Sequence, residues 1–151
     1  MITVTMREIR QKNLPEGNFY LYVFWENGIP LYVGMSYDAV GRVLEHDRPG
    51  SQWLSPIGKA LILPESNGFS VDFYDKADVE AVLGHEWHEF GPNSRSLLHF
   101  AEVKLIRKLA PAFNTQNLED GCNYTKWRRR HPDRRGEEAK RAAANLFHFP
   151  F

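Results

Sequence analysis

The chain contains 151 residues, of which 42% are hydrophobic, 25% charged and 13% aromatic, and its formal net charge is zero. This composition is typical of one soluble globular domain. No apolar run approaches the roughly 20 residues of a membrane-spanning helix, and the first residues lack the basic and apolar pattern of a signal peptide. Cys122 is the only cysteine, which excludes an internal disulfide and a zinc site built from thiolates alone. We therefore expect a cytoplasmic protein without a membrane partner.

The zero net charge hides a basic segment late in the chain. Residues 126–141 carry 8 Lys and Arg residues against 3 Asp and Glu residues. Clustered positive charge is typical of surfaces that contact a phosphate backbone, and it also occurs on solvated helices. The charge pattern alone leaves both interpretations open.

The first strong pattern predicts a β-hairpin. Phe19 to Trp25 is rich in aromatic and β-branched residues, which favours a strand. Glu26-Asn27-Gly28 is a turn sequence, and Pro30 to Val33 is predicted as the returning strand. Because side chains alternate along a strand, Tyr20 and Tyr22 are predicted to share one face.

A helix is predicted next, over about Tyr37 to His46, with Ser36 or Asp38 as its cap. Its apolar positions form one stripe, and Arg42 lies on the opposite side of the helix. His46 follows Arg42 by one turn, so the two side chains are neighbours. Both are therefore predicted to point away from the stripe.

The remaining elements are predicted from turn residues and periodicity. Gly and Pro residues divide 47–68 into loops around a short helix. Alternation of apolar and polar residues predicts a third strand. The predicted ranges are a short helix near Ile57 to Leu63, a strand over Phe69 to Tyr74, a helix from Asp78 to about Leu83, a helix over Arg95 to Leu109 capped by Asn93 or Ser94 and stopped by Pro111, and a terminal helix over Glu137 to Phe147.

Glu102 occupies an unusual position on the predicted helix over Arg95 to Leu109. On a helical wheel it falls about 40° from Leu98, inside the apolar stripe. A carboxylate that faces a core is costly unless it is paired, hydrogen-bonded or bound to a metal. The pattern therefore leaves two alternatives, which are a structural partner such as a buried arginine or tyrosine hydroxyl, and a divalent cation.

The order and spacing of these residues resemble the catalytic core of the GIY-YIG nuclease family over about residues 17–114. Tyr20-Leu21-Tyr22 stands in place of the family's Gly-Ile-Tyr, and Tyr32-Val33-Gly34 stands in place of Tyr-Ile-Gly. The resemblance implies an α/β (α+β) fold with a small, three-stranded, mainly antiparallel sheet flanked by helices. It also implies a nuclease domain at residues 1–125 with an insertion at about 47–94, followed by a basic helical extension at 126–151 packed on the same domain.

The resemblance further implies a metal-dependent endonuclease that hydrolyses phosphodiester bonds, with DNA as the expected partner and RNA left open. Glu102 would hold Mg²⁺ or Mn²⁺, which carboxylate oxygens suit. Arg42 would stabilise negative charge on the phosphate. Tyr22, Tyr32 or His46 would activate the water, and the sequence does not decide among them. Supporting roles fall to Tyr20, Gly34 and Asn114, the last as an orienting hydrogen-bonder.

A second group of residues is predicted to bind nucleic acid. Basic side chains beside an aromatic ring suit backbone contact and base stacking. The residues are Lys126, Trp127, Arg128, Arg129 and Arg130. An alternative function is a nucleic-acid-binding module on a catalytically degenerate nuclease scaffold, and the oligomeric state stays open.

Overall fold

The computed structural model describes residues 1–114 and 122–131, and these form a mixed α+β fold around one antiparallel sheet. The strands are β1 (Ile2–Thr5), β2 (Leu21–Glu26), β3 (Ile29–Met35) and β4 (Ser70–Tyr74). Their order across the sheet is β1-β4-β2-β3, and every neighbouring pair is antiparallel. The described part of the chain thus confirms the fold class, whereas the expected number of three strands is wrong.

The helices lie on both sides of this sheet. In the described residues they are α1 (Met6–Arg10), α2 (Ala39–His46), α3 (Gly58–Leu61), α4 (Lys76–Leu83), α5 (Ser94–Leu109) and α6 (Cys122–Arg130). Two 3₁₀ helices, Ser51–Trp53 and Pro64–Gly68, lie between α2 and β4. None of the described helices combines the length and apolarity that crossing a membrane requires. The predicted helix over 137–147 lies outside the described residues.

The added strand is β1, which pairs with β4 at the sheet edge opposite β3. Thr5 ends β1 and caps α1, because its hydroxyl accepts a hydrogen bond from the Glu8 backbone N–H while the Glu8 carboxylate returns to the Thr5 N–H. This capping box is visible in the sequence as a threonine followed three residues later by a glutamate.

The hairpin of β2 and β3 forms where it was predicted. Asn27 and Gly28 take positive φ angles of 46° and 80°, as a tight hairpin turn requires. The register changes between Phe24 and Trp25, which produces a bulge. Phe24 pairs with Tyr32 across the strands, so the hairpin sets the position of Tyr32 on the sheet.

Two buried clusters cover the two faces of the sheet. The first contains Tyr22 and packs beneath α2, α3 and α6, and the second contains Leu21 and packs beneath α4 and α5. Tyr20 belongs to the second cluster. The prediction that Tyr20 and Tyr22 share a face is therefore wrong, because β2 begins at Leu21 and the alternation does not extend back to Tyr20.

Capping residues place the helices that carry the candidate site. Asp38 caps α2, and its carboxylate accepts a hydrogen bond from the Gly41 N–H at 3.0 Å. Asp75, rather than the predicted Asp78, caps α4, since Asp78 lies at the third helical position and completes a capping box. Asn93 occupies the cap position of α5 without a side-chain hydrogen bond.

The outer edge of β3 is partly covered by the segment that follows α5. The backbone N–H groups of Ala112 and Phe113 donate to the carbonyls of Pro30 and Leu31. The Asn114 side chain then forms two hydrogen bonds with the backbone of Val33. Its Oδ1 accepts from the Val33 N–H at 2.8 Å, and its Nδ2 donates to the Val33 carbonyl at 2.9 Å. Within the described residues this segment continues the sheet as far as Val33.

Two features of the predicted domain division differ from the structure. The range 47–94 includes β4, which lies in the interior of the sheet, so it is not wholly an insertion. The boundary at residue 125 falls inside α6, whose Trp127 is 1% exposed within the first buried cluster. The start of the predicted basic extension is therefore part of the domain core.

Candidate functional site

Three aromatic side chains from β2, β3 and α2 meet on one face of the sheet. The ring centroids of Tyr22 and Tyr32 lie 6.3 Å apart. The His46 ring lies 5.6 Å from the Tyr22 ring and 5.4 Å from the Tyr32 ring. The structure thus brings together the three residues among which the sequence did not choose a base.

A buried hydrogen-bond chain links two of these residues to a serine. The Tyr22 hydroxyl lies 2.7 Å from His46 Nε2, and His46 Nδ1 lies 2.5 Å from the Ser55 hydroxyl oxygen. All three residues are buried, with Tyr22 and His46 only 1% and 2% exposed. A neutral imidazole has one donor and one acceptor nitrogen, so two hydroxyl partners satisfy it completely.

Gly34 is needed because the Tyr22 ring crosses directly over it. A Cβ atom at residue 34 would lie 2.2 Å from both the hydroxyl oxygen and Cζ of Tyr22. Such distances are far below van der Waals contact. The absence of a side chain at Gly34 therefore allows the Tyr22 hydroxyl to lie beside β3. This is a physical reason for a glycine at the end of the Tyr32-Val33-Gly34 segment.

Burial keeps the hydrogen-bonded side chains of Tyr22 and His46 uncharged at neutral pH. Burial is the main cause that raises the pKa of Tyr22 above its ordinary value of 10, with the neighbouring Tyr32 adding to the rise and Arg42 opposing it. Burial, followed by the positive charge of Arg42, lowers the pKa of His46 from 6.5 to about 4. His46 is thus neutral at pH 7 and a weak base, and Tyr22 resists losing its proton.

Tyr32 differs from Tyr22 because it reaches an open pocket. This pocket has a volume of about 180 Å³ at the edge of β3, and Pro56, Glu102, Phe113 and Asn114 also line it. The Tyr32 hydroxyl has no hydrogen bond to another described residue. Burial and the Glu102 carboxylate raise the pKa of Tyr32, while Arg42 lowers it.

Glu102 enters the same pocket from α5 on the other side of the β3 edge. Its side chain is 15% exposed and lies 3.3 Å from His99 Nδ1 on the preceding turn. The Met35 backbone, two residues beyond Val33 on β3, also interacts with this carboxylate and lowers its pKa. Burial raises the pKa of Glu102, and these two partners oppose the rise. The observed partners are thus neither the buried arginine nor the tyrosine hydroxyl considered from the sequence.

Arg42 lies on the exposed surface of α2 next to this group. Its guanidinium forms a 2.7 Å ion pair with Glu45, and both side chains are almost half exposed. Surface pairs of this kind contribute about 0–1 kcal/mol. A phosphate could therefore replace Glu45 at little cost, because a guanidinium binds phosphate oxygens in a bidentate manner.

Glu102 is the residue in this pocket that could hold a divalent cation. Among the described residues no group of three or more His, Cys, Asp and Glu side chains is arranged to hold a metal ion. A lone carboxylate nevertheless fits Mg²⁺, which commonly uses one or two carboxylates together with water and substrate phosphate oxygens. The donor set thus fits a cation that binds with the substrate and excludes a preformed cage of protein ligands within the described part of the chain.

Tyr20 does not join this group of residues. Its hydroxyl donates to the carboxylate of Glu89, and its ring packs edge-on against Trp87 at a centroid distance of 4.8 Å. Burial and the Glu89 carboxylate raise the pKa of Tyr20 to about 12. Tyr20 therefore supports the other face of the sheet, away from Tyr22.

The predicted nucleic-acid-binding residues on α6 separate into buried and exposed positions. Trp127 packs against Phe113 and His131 at centroid distances of 5.0 and 4.7 Å, so its ring cannot stack on a base as predicted. Lys126 and Arg129 are exposed, and Arg128 is half-buried. Arg130 is exposed and donates to the Asn27 carbonyl at the hairpin turn.

Sequence reasoning missed Ser55, His99 and the Met35 backbone N–H as parts of the site. His99 precedes Glu102 by three positions, which places the two side chains next to each other on a helix and could have been noticed. Ser55 lies in a loop whose path depends on the tertiary fold. No sequence pattern that we used predicts its contact with His46.

Comparison of the chain with models of known protein families, with curated proteins and with solved structures found no match. The geometry of the site is therefore the basis for a functional proposal.

Proposed function

We propose that this protein is a metal-dependent endonuclease that hydrolyses phosphodiester bonds in nucleic acid, with DNA as the expected substrate. The observation that supports this most directly is that Tyr32 and Glu102 line one pocket at the edge of β3, while the charge of Arg42 on α2 acts on Tyr32. Phosphodiester hydrolysis needs an oriented water and stabilisation of the charge that develops on phosphate. These three side chains can supply those functions.

Tyr32 is the tyrosine best placed to orient the attacking water. Its hydroxyl opens onto the pocket, whereas the Tyr22 hydroxyl is covered and engaged with His46. A phenol with a raised pKa keeps its proton at neutral pH and is therefore a poor base. It can still accept a hydrogen bond from a water molecule and so orient a lone pair of that water. Neutral His46 lies beside the Tyr32 ring and supports its position.

Arg42 would bind the non-bridging oxygens of the scissile phosphate. Its charge lowers the pKa of both nearby tyrosines, so it lies close enough to act on charge in the pocket. The same field favours any negative charge that appears at Tyr32 or phosphorus during the reaction. Removing one such stabilising group typically lowers a rate by about 10²- to 10³-fold.

Glu102 would hold the divalent cation against the substrate. A cation bound there supplies Lewis-acid stabilisation of the phosphate and of the leaving oxygen. The carboxylate itself must be ionised and must exchange its contact with His99, which lies 3.3 Å away. The Met35 backbone lowers the pKa of this carboxylate and so favours its ionised form.

The test is cleavage of a mixed panel of DNA and RNA substrates with Mg²⁺ or Mn²⁺. We expect Arg42→Ala and Glu102→Gln each to reduce cleavage by about 100-fold or more. Arg107→Ala and Glu86→Gln serve as matched controls, because both residues are exposed and neither lines the pocket. Equal cleavage by all five proteins would contradict the proposal.

A nucleic-acid-binding module without catalysis is the second candidate function. The contact between Glu102 and His99 favours it, since a carboxylate already paired with a histidine has less need of a cation. Binding of nucleic acid without cleavage by the wild type, and no rise in melting temperature on addition of Mn²⁺, would establish this alternative. A metal-dependent rise that Glu102→Gln abolishes would support the nuclease.

A further inference from the structure

A second pocket adjoins the site on the side away from Asn114. It has a volume of about 380 Å³ and lies between the start of α2 and the start of α5. Tyr37, Asp38, Arg42, Arg95 and Leu98 are among the residues that line it. We call this space the arginine pocket. It shares Arg42 with the proposed catalytic site and is therefore continuous with the place where a scissile phosphate would bind.

The charged groups of the arginine pocket favour an anion. Arg95 is exposed and makes no hydrogen bond or ion pair with another described residue, so its guanidinium is available. Among the described residues, Arg42 has only the exposed Glu45 as its ion-pair partner. The carboxylate of Asp38 already accepts the Gly41 N–H as the cap of α2. Two guanidinium groups thus line the same pocket with one carboxylate that is already engaged.

An aromatic ring stands at the same pocket in a fixed position. Tyr37 is 40% exposed, although its hydroxyl is held at 2.8 Å from the Ser94 hydroxyl oxygen. Its ring also packs against Tyr20, with a centroid distance of 6.3 Å and an interplanar angle of 83°. These two contacts restrain the ring while leaving much of its surface free. A restrained, exposed ring is well suited to stack on a flat ligand.

We propose that the arginine pocket binds the nucleotide next to the scissile phosphodiester, with Arg95 on its phosphate and Tyr37 stacked on its base. The inference rests on the proposed action on nucleic acid, and it adds a substrate class. A base inside a duplex is already stacked on both faces, so Tyr37 can stack only on a base that is unpaired or displaced. The preferred substrate therefore carries an unpaired nucleotide beside the cleavage position.

The experiment measures binding without cleavage. A fluorescent single-stranded DNA oligonucleotide and the duplex of the same sequence are titrated with the full chain in EDTA, at several salt concentrations. The variants are Arg95→Ala and Tyr37→Leu. The controls are Arg107→Ala, which removes the same charge from the last turns of α5, and Tyr37→Phe, which keeps the ring and loses only the hydroxyl.

We expect Arg95→Ala to weaken binding of both DNA forms by about 5- to 10-fold. It should also reduce the slope of log affinity against log salt concentration by the amount expected for about one phosphate contact. Tyr37→Leu should weaken single-stranded binding by about 5- to 100-fold and duplex binding by less than about twofold. Tyr37→Phe should bind like the wild type. The inference is overturned if Arg95→Ala binds like Arg107→Ala, or if Tyr37→Leu affects both DNA forms equally.

Cleavage by the wild type with Mg²⁺ separates this inference from the proposed function. If the pattern of binding holds and no cleavage occurs, the nucleotide pocket stands and the nuclease fails. If cleavage occurs while binding is indifferent to Arg95 and Tyr37, the nuclease stands and the nucleotide pocket fails. The two proposals therefore fail through different measurements.

Discussion

The candidate site has a covered half and an open half, and the two differ in what their polar groups contact. In the covered half, Tyr22 and Ser55 enclose His46 and satisfy both of its nitrogens. In the open half, Tyr32 has no hydrogen bond to another described residue, and Arg42 is paired only at the surface. Satisfied, buried groups maintain a fold, whereas exposed and unsatisfied groups can exchange partners with a ligand. We therefore expect the two tyrosines to have different tasks.

The largest effect is expected when either tyrosine hydroxyl is removed, which tests whether the covered and open halves have different tasks. Tyr32→Phe should lower the cleavage rate by about 100-fold or more, because it removes the group that orients water, and should leave the melting temperature unchanged. Tyr22→Phe should destabilise the protein by about 1–3 kcal/mol, because it leaves a buried His46 nitrogen without a partner. Cleavage rates and thermal melts of both variants provide the measurement.

The opposite pattern would show that the division is wrong. If Tyr22→Phe abolished cleavage at full stability, the buried phenol would be the reacting group. Tyr20→Phe is the control for the loss of a buried hydroxyl on the other face of the sheet, and its cleavage rate should stay within about threefold of the wild type.

The covered half should also make the protein sensitive to acid. The pKa of His46 lies near 4 in the folded protein and near 6.5 when exposed, so the unfolded chain binds the proton more tightly. This contribution to stability is complete above pH 6.5 and is lost as the pH falls from 6.5 to about 4. The gap between the two pKa values corresponds to about 3 kcal/mol.

Chemical denaturation of the wild type and His46→Gln at pH 7 and pH 4.5 would measure this contribution. The variant should lose less stability than the wild type over that range, because it lacks the titrating ring. His88→Gln is the control, since His88 is exposed. Equal losses for the wild type and His46→Gln would contradict the assignment. Glu102 acts in the opposite direction, since its raised pKa favours the folded state in acid, and its contribution is common to both proteins.

Much of the open half could be predicted from local sequence patterns. The hairpin turn at Asn27-Gly28 and the helix that carries Arg42 are short-range features, and both form where the sequence predicted them. The prediction that His46 points away from the apolar stripe, as Arg42 does, is wrong, because the His46 ring is buried between Tyr22 and Ser55. The wheel identified Glu102 as a carboxylate with an unusual environment. Its partners were not predicted, because the proximity of the Met35 backbone depends on how α5 packs against β3.

The covered half depended on tertiary packing and was less accessible to sequence reasoning. Ser55 lies in a loop that no periodicity orients. Tyr20 was assigned to the wrong face because alternation holds only within a strand, and β2 begins one residue later. Trp127 was predicted to bind nucleic acid together with its basic neighbours, although its ring packs between Phe113 and His131. Charge patterns describe the surface of a helix and do not identify which single residue turns inward.

The smallest effect is expected from a change in the packing that holds the Tyr22 ring in the covered half. Gly34→Ala places a Cβ where the Tyr22 hydroxyl now lies, so the ring must move and its hydrogen bond to His46 must break. Overpacking of this kind costs about 1–3 kcal/mol. Gly68→Ala is the matched control, because a Cβ there meets nothing within 4 Å. Denaturation midpoints of the two variants should differ clearly; if they coincide, Tyr22 is free to relocate and the rigidity attributed to the covered half is absent.

Cleavage by Gly34→Ala then reports whether Tyr32 works without an ordered Tyr22 behind it. Its loss would show that the open half depends on the covered half, and its retention would show that the two halves act independently.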